Sequence, residues 1–210
     1  MFYPVFLNLQ DRAALVVGAG IVAERKVESL LETGARVTLV SPEATKALIE
    51  HSEAGRIVWQ RRRFVLSDLD GVFIVISATD DTAVQTEVAS AAASRNIPVN
   101  TVDKPELCTF ILPSVLRRGG VTVAISTGGR SPSMATALRT RIESVITTDV
   151  ERATDLMGEL RKEVHQRFQD SDQRKRVFER IIESGIIDWI GECDNAAALQ
   201  RARRIIDEAQ

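Results

Sequence analysis

Short apolar runs alternate with stretches of helical periodicity through the first half of the chain. Residues 13–17, 36–41, 56–59, 72–78, 97–102 and 121–126 read as strands. Several are almost continuously apolar, which suits strands covered by helices on both faces. Between the first two, Val22, Val27, Leu30 and Leu31 form one apolar stripe, and Gly34 supplies a stop. A second helix is expected after Asp80-Asp81, with Val84, Val88, Ala91 and Ala92 inward and Asn96 near its end. Strands alternating with helices predict a parallel sheet with right-handed crossovers, the doubly wound α/β class.

The pattern changes near residue 130. Ser131-Pro132 reads as an N-cap followed by the first helical residue. The remainder is expected to be almost wholly helical. Leu156, Leu160, Val164 and Phe168 recur every four residues, as do Val177 with Ile181 and Phe178 with Ile182. Gly185 interrupts, and a last helix is expected through Ala198, Leu199, Ala202, Ile205 and Ile206. The expected domains are a nucleotide domain over 1–112, a short α/β region over 113–148 and a small helical domain over 149–210.

The sharpest local motif is Gly18-Ala19-Gly20-Ile21-Val22-Ala23, a GxGxxA set between a strand and a helix. Its first glycine permits a tight turn, its second lets the backbone approach a pyrophosphate, and Ala23 lets the helix pack close to the strand. The helix N-terminus adds free N–H groups and a favourable dipole. An ordinary βα turn without a ligand is the plain alternative, but strand, turn and helix fall where a dinucleotide site of the Rossmann type needs them. Val40-Ser41-Pro42-Glu43 ends the second strand, where an acid normally meets the adenosine ribose. Ser41 stands in its place and no arginine is there for a 2′-phosphate. The reading is therefore NAD, with Ser41, Pro42 or Glu43 lining the ribose.

Ligands in this class lie outside the carboxyl ends of the strands. Three such ends are polar: Ser77 to Asp80, Asn100 to Asp103, and Ser126 to Arg130. Thr79 and Asn100 are candidate hydrogen-bonding partners for the cofactor. Asp103 is the candidate general base, against the plain reading of a turn aspartate. Arg117, Arg118, Arg130, Arg139 and Arg141 face a single acid, Glu143, between residues 113 and 145. That excess suits an anionic ligand such as a polycarboxylate. Arg139 and Arg141 read better as a solvated or subunit-pairing face, and Arg130, beside the glycine turn, as a ligand contact.

Composition narrows the classes further. The 210 residues are 44% hydrophobic with a formal net charge of −2, so no global charge points to nucleic acid or an anionic membrane. Arg61-Arg62-Arg63 reads as solvated surface. Cys108 and Cys193 lack metal or disulfide spacing, and His51 and His165 have no partner ligand, so no metal site is expected. No apolar run approaches the roughly 20 residues of a membrane span, and no signal peptide is visible. A cytoplasmic protein is expected.

The stretch from Tyr3 through VVGAGIVAERK to LVSP, then SATDD, VNTVD, FILPS and ISTGGRSP, resembles the precorrin-2 dehydrogenase family, which includes the N-terminal module of siroheme synthases. The resemblance is close over residues 2–145 and looser beyond. It implies oxidation of precorrin-2 to sirohydrochlorin with NAD⁺ as hydride acceptor, and a homodimer with 113–148 as dimerisation region. It implies a polycarboxylated tetrapyrrole held by Thr127, Gly128, Gly129, Arg130 and Ser131. Asp103 occupies the family's catalytic aspartate position, and Gly18, Gly20, Ile21, Val22 and Ala23 its cofactor turn. Thr127 stands where several relatives carry a serine. A separate upstream methyltransferase is expected to supply the substrate, since no such domain follows. Two alternatives stay open: an enzyme that also inserts Fe²⁺ or Co²⁺ into sirohydrochlorin, and a non-catalytic NAD-sensing module.

Overall fold

The computed structural model describes residues 2–192 and 195–209. The chain divides into two compact units, residues 1–112 and 113–210. Cys193 lies outside the described residues, so the reading of the cysteine pair is not addressed by them.

In the first unit, strands β1 (Ala13–Val17), β2 (Arg36–Val40), β3 (Val58–Gln60), β4 (Ile74–Ser77) and β5 (Val99–Thr101) form one parallel sheet in the order β3-β2-β1-β4-β5. Helices α1 (Ile21–Leu31), α2 (Lys46–Glu53) and α3 (Thr82–Ser94) connect them. The strands are short and branched-apolar, and their alternate residues feed two cores. On one face Ala14, Val16, Val37, Leu39, Ile74 and Ile76 pack with Ala23, Val27 and Leu30 of α1 and Leu48 of α2. On the other, Leu15, Val17, Val40, Val75 and Val99 pack with Val88, Ala89 and Ala92 of α3. Burying both faces requires the near-continuous apolar runs seen in the sequence. The inward stripe of α3 is Gln85, Val88, Ala89 and Ala92, with Val84 and Ala91 only half-buried. Asn96 (φ 55°) and Gly34 (φ 74°) take the left-handed conformation that ends a helix.

The register aligns the carboxyl ends of four strands, with Val17 opposite both Val40 and Ser77, and Ser77 opposite Thr101. The chain leaves β1 toward β2 on one side and takes up β4 and β5 on the other. The β1–β4 boundary is thus the switch point where ligands of this class bind.

The second unit begins with an antiparallel hairpin, β6 (Ser114–Arg118) and β7 (Val121–Ile125), turning at Gly119-Gly120. This corrects the expectation for residues 121–126. That strand pairs only with its hairpin partner and does not join the parallel sheet, because a two-glycine turn makes the antiparallel ladder local. Helix α4 (Pro132–Glu143) packs on the hairpin, capped by Ser131, whose Oγ accepts from the Met134 N–H at 3.2 Å. Four helices follow: α5 (Thr148–Arg167), α6 (Ser171–Glu183), α7 (Ile186–Glu192) and α8 (Asn195–Asp207). Their common core holds Leu156, Leu160, Val164, Phe168, Val177, Ile181, Trp189, Ile190 and Ile206. Ile182 is 57% exposed, against the expectation that it pairs inward with Phe178; Val177 and Ile181 take the centre of that face and leave Ile182 about 100° round. Arg62 is likewise not simply solvated. Its guanidinium forks onto Asp68 at 2.6 and 2.8 Å and holds that carboxyl below the usual range.

Gly18 (φ 94°) carries the tightest constraint in the first unit. A Cβ there would lie 2.5 Å from the Ala78 carbonyl oxygen and 2.7 Å from the Thr79 nitrogen. Gly18→Ala is expected to destabilise this unit by about 2–4 kcal/mol, since both the left-handed φ and a backbone clash oppose it. Native-state hydrogen exchange at the Val16 and Ile76 amides measures the loss.

Candidate functional site

The glycine turn is stitched to both neighbouring strand ends. Gly18 N–H donates to the Val40 carbonyl at 2.9 Å, Ala78 N–H to the Val17 carbonyl at 2.7 Å, and Thr45 N–H to the Ala19 carbonyl at 3.2 Å. Gly20 caps α1 without any side-chain hydrogen bond, and a Cβ on it would meet nothing within 4 Å. Open space therefore stands over a helix N-terminus whose first N–H groups have no side-chain acceptor. Ile21 and Val22 flank it, exposed, while Ala23 is fully buried against the sheet. This cradle fits a dinucleotide pyrophosphate.

Along the same edge, Ser41 is half-buried and fixed by β3. Its N–H donates to the Gln60 carbonyl at 3.3 Å and its carbonyl accepts from Trp59 Nε1 at 3.0 Å. Pro42 and Glu43 follow it, both exposed. Thr79 is half-buried, and its hydroxyl accepts from the Asp81 N–H at 3.3 Å. Asn100 uses its amide donor internally, toward the Phe110 carbonyl at 3.1 Å. These residues and the glycine turn all lie at the carboxyl edge of one sheet.

Asp103 is exposed at the end of β5 with φ 59°, at the third position of a turn closed by Lys104 N–H to the Thr101 carbonyl at 3.3 Å. The Cys108 thiol fastens that turn: Sγ accepts from Thr101 N–H at 3.1 Å and lies 3.2 and 3.3 Å from the Thr101 and Lys104 carbonyls. A half-buried lysine completes this corner. Burial holds the Lys26 ammonium below the ordinary lysine range, Arg25 pushes it the same way, and Asp103 pulls it back up. Lys26 belongs to the VAERK stretch, yet its placement near Asp103 requires knowing that the fold brings α1 close to the turn after β5. Cys108 bonds to Asn100, Thr101 and Lys104, up to eight residues away along the chain, and nothing in residue type alone marks it.

Thr127, Gly128, Gly129, Arg130 and Ser131 belong to the second unit, on the turn from β7 to α4. The expectation that they follow a strand of the parallel sheet fails, because β7 pairs only with β6. Thr127 and Ser131 are tied reciprocally: Thr127 Oγ1 accepts from the Ser131 N–H and donates to its carbonyl, both at 3.0 Å. Gly128 (φ 65°) and Gly129 (φ 81°) face open space, and Arg130 is exposed. Arg118 and Arg139 share Glu143 at 3.8 and 3.3 Å, so part of the local arginine excess is already paired. Among the described residues, no three His, Cys, Asp or Glu side chains gather as a metal site, and no helix is long and apolar enough to cross a membrane.

A family model described as "Putative NAD(P)-binding" matches residues 5–114, and one described as "Sirohaem synthase dimerisation region" matches residues 150–206. A solved structure named "SirC, precorrin-2 dehydrogenase" superposes with a TM-score of 0.78 at 26% identity, covering 97% of this chain and all of that one. The chain belongs to the precorrin-2 dehydrogenase family. Its similarity to siroheme synthases is also high. That of Methylobacillus flagellatus is 42% identical over 97% of this chain and 44% of its own length. That of Thioalkalivibrio sulfidiphilus is 44% identical over 88% of this chain and 38% of its own. The chain thus spans less than half the length of these relatives. This precorrin-2 dehydrogenase family member carries an NAD(P)-binding domain in its first unit, and its dimerisation match falls on α5 to α8.

Asp103→Asn is expected to lower the Lys26 pKa further, because the one neighbouring charge that favours the ammonium is gone. The pH profile of Lys26 acylation, followed by peptide mass spectrometry, should move to lower pH. An unmoved profile would contradict the proximity of the two groups.

Proposed function

We propose that this chain oxidises precorrin-2 to sirohydrochlorin with NAD⁺, one step in making siroheme. The observation that carries the reading is the single sheet edge bearing both the open glycine cradle and Asp103. NAD⁺ supplies the hydride acceptor when bound. Gly18, Gly20 and the N-terminus of α1 would hold its pyrophosphate; Ile21, Val22 and Ala23 shape that turn. Ser41, Pro42 and Glu43 would line the ribose, and Thr79 and Asn100 the inner part of the edge. No arginine stands in 41–43 to meet a 2′-phosphate, which favours NAD over NADP.

The oxidation removes two hydrogens from the tetrapyrrole as a hydride and a proton, and bound NAD⁺ would accept the hydride. Asp103 takes the proton, its carboxylate exposed at the strand end. Lys26 offers positive charge near that carboxylate. The substrate's own carboxylates suit the second unit's Arg130 with Thr127, Gly128, Gly129 and Ser131, where an exposed guanidinium stands beside an open glycine turn. A second copy of the chain pairs through residues 113–148, where Val115, Met134, Leu138 and Val145 are exposed apolar side chains, and the dimerisation-region match over 150–206 carries the pairing on into α5 to α8. We also place the reaction in the cytoplasm, where a methyltransferase delivers precorrin-2.

The test is anaerobic incubation with enzymatically made precorrin-2 and NAD⁺, read by absorbance. Sirohydrochlorin and NADH should appear in equal amounts, and Asp103→Ala should lower kcat by about 10²–10⁴-fold. NAD⁺ binding without oxidation would replace the enzyme by a sensing module, and full activity of Asp103→Ala would remove the base. Fe²⁺ or Co²⁺ added after the oxidation reads whether metal is also inserted.

A further inference from the structure

The buried stripe of α3 contains one polar side chain. Gln85 is 6% exposed and sits among Val88, Ala89 and Ala92 on the face that packs against Val75 and Val99. An apolar residue there would avoid the cost of desolvating an amide. What the amide does is specific. Its Nε2 donates to the Thr79 carbonyl at 2.7 Å and, at the longer distance of 3.5 Å, to the Val102 carbonyl. Both neighbours are acceptors, so the NH₂ end must face them. The Oε1 atom is buried with no partner among the described residues.

The two carbonyls belong to the two places the site depends on. Thr79 follows the strand end that Gly18 abuts, with its nitrogen 2.7 Å from where a Gly18 Cβ would stand. Val102 immediately precedes Asp103, inside the turn closed at Thr101 and Lys104. Its N–H donates to the Ser77 carbonyl at 2.9 Å. One side chain therefore spans from β4 to β5 just past the sheet, where strand-to-strand backbone bonding gives out after Val102. Cys108 holds the other end of the same turn, at Thr101 and Lys104.

We propose that Gln85 is a positioning residue that locks the Asp103 turn to the strand end beside the glycine cradle, keeping cofactor edge and base at one spacing. The catalytic part rests on the reading of Asp103 given above; the brace itself does not. Misplacing a reacting group by about 1 Å can cost up to about a hundredfold in rate, so a loosened brace acts on kcat rather than on substrate affinity.

The experiment compares the full chain with Gln85→Met, which keeps the volume and removes the donor, and with Gln85→Asn, which withdraws the amide and serves if the first variant does not fold. Hydrogen exchange at the Val102 and Lys104 amides should quicken about tenfold while β1 amides are unchanged, a local opening. The kcat for precorrin-2 oxidation should fall about tenfold, with KM for both substrates within about threefold. In an Asp103→Asn background the same substitution should lower kcat less than about twofold, because both changes act through one group. Unchanged exchange at Val102 and Lys104 overturns the brace whatever the enzyme does. Faster exchange with unchanged kcat, or equal loss of kcat in both backgrounds, overturns the positioning role. If the parent chain oxidises no precorrin-2, the function reading fails while exchange still decides the brace.

Discussion

Everything at the candidate site depends on how closely Gly18 approaches the end of β4. Its backbone stands where any side chain would strike the Ala78 carbonyl and the Thr79 nitrogen. That contact sets β1 and β4 edge to edge at the switch point. Hydrogen bonds from Gly18 to Val40 and from Ala78 to Val17 then fix the turn from both sides. With the turn fixed, α1 must start just after Gly20, and its N-terminus opens over the sheet edge. Without the approach, the same sequence of strands could still pack, but it would present no cradle.

The second constraint is the left-handed backbone at Asp103. A non-glycine residue at φ 59° is uncommon and is held by its surroundings. Here the holders are modest: a thiol bonded to Thr101 and lying against Lys104, a shared amide at Val102, and the turn's own hydrogen bond. The half-buried Lys26 adds a cation near the carboxylate. The arginine-rich hairpin and α4 belong to a separate unit with its own helical core, and Glu143 compensates two of its cations.

The first unit was largely legible because several signals agreed. Around β1, α1 and β2 the apolar period, the glycine turn and the stop at Gly34 all point the same way. Ser131-Pro132 and Asn96 were legible for the same reason, each being a residue type whose local chemistry determines its position. What failed were readings that depended on a partner. Residues 121–126 have the composition of a core strand, but composition does not name the strand's neighbour; the Gly119-Gly120 turn does. Strand β6 is masked in the sequence because Arg117 and Arg118 read as charge rather than as the outer end of a ladder. Helix α7 is a seven-residue element after Gly185, too short for periodicity to stand out. At the site, Asp103 and the glycines were legible as motif positions. Lys26, Gln85 and Cys108 were not, since each acts by reaching a backbone or a charge that only the fold brings near.

The central claim is that the space above Gly20 holds the cofactor's pyrophosphate, and Gly20→Val tests it most directly. The position has extended backbone (φ −84°, ψ −174°) and nothing within 4 Å of a Cβ, so the fold should tolerate the side chain. Titration of the full chain with NAD⁺ by calorimetry, beside thermal unfolding, separates binding from stability. The account predicts an unfolding midpoint within about 4 °C of the parent, as expected for losing an N-cap glycine. It also predicts NAD⁺ affinity weakened by about a hundredfold or more, a loss of roughly 3 kcal/mol. Parent-like NAD⁺ affinity in a folded Gly20→Val chain would contradict it.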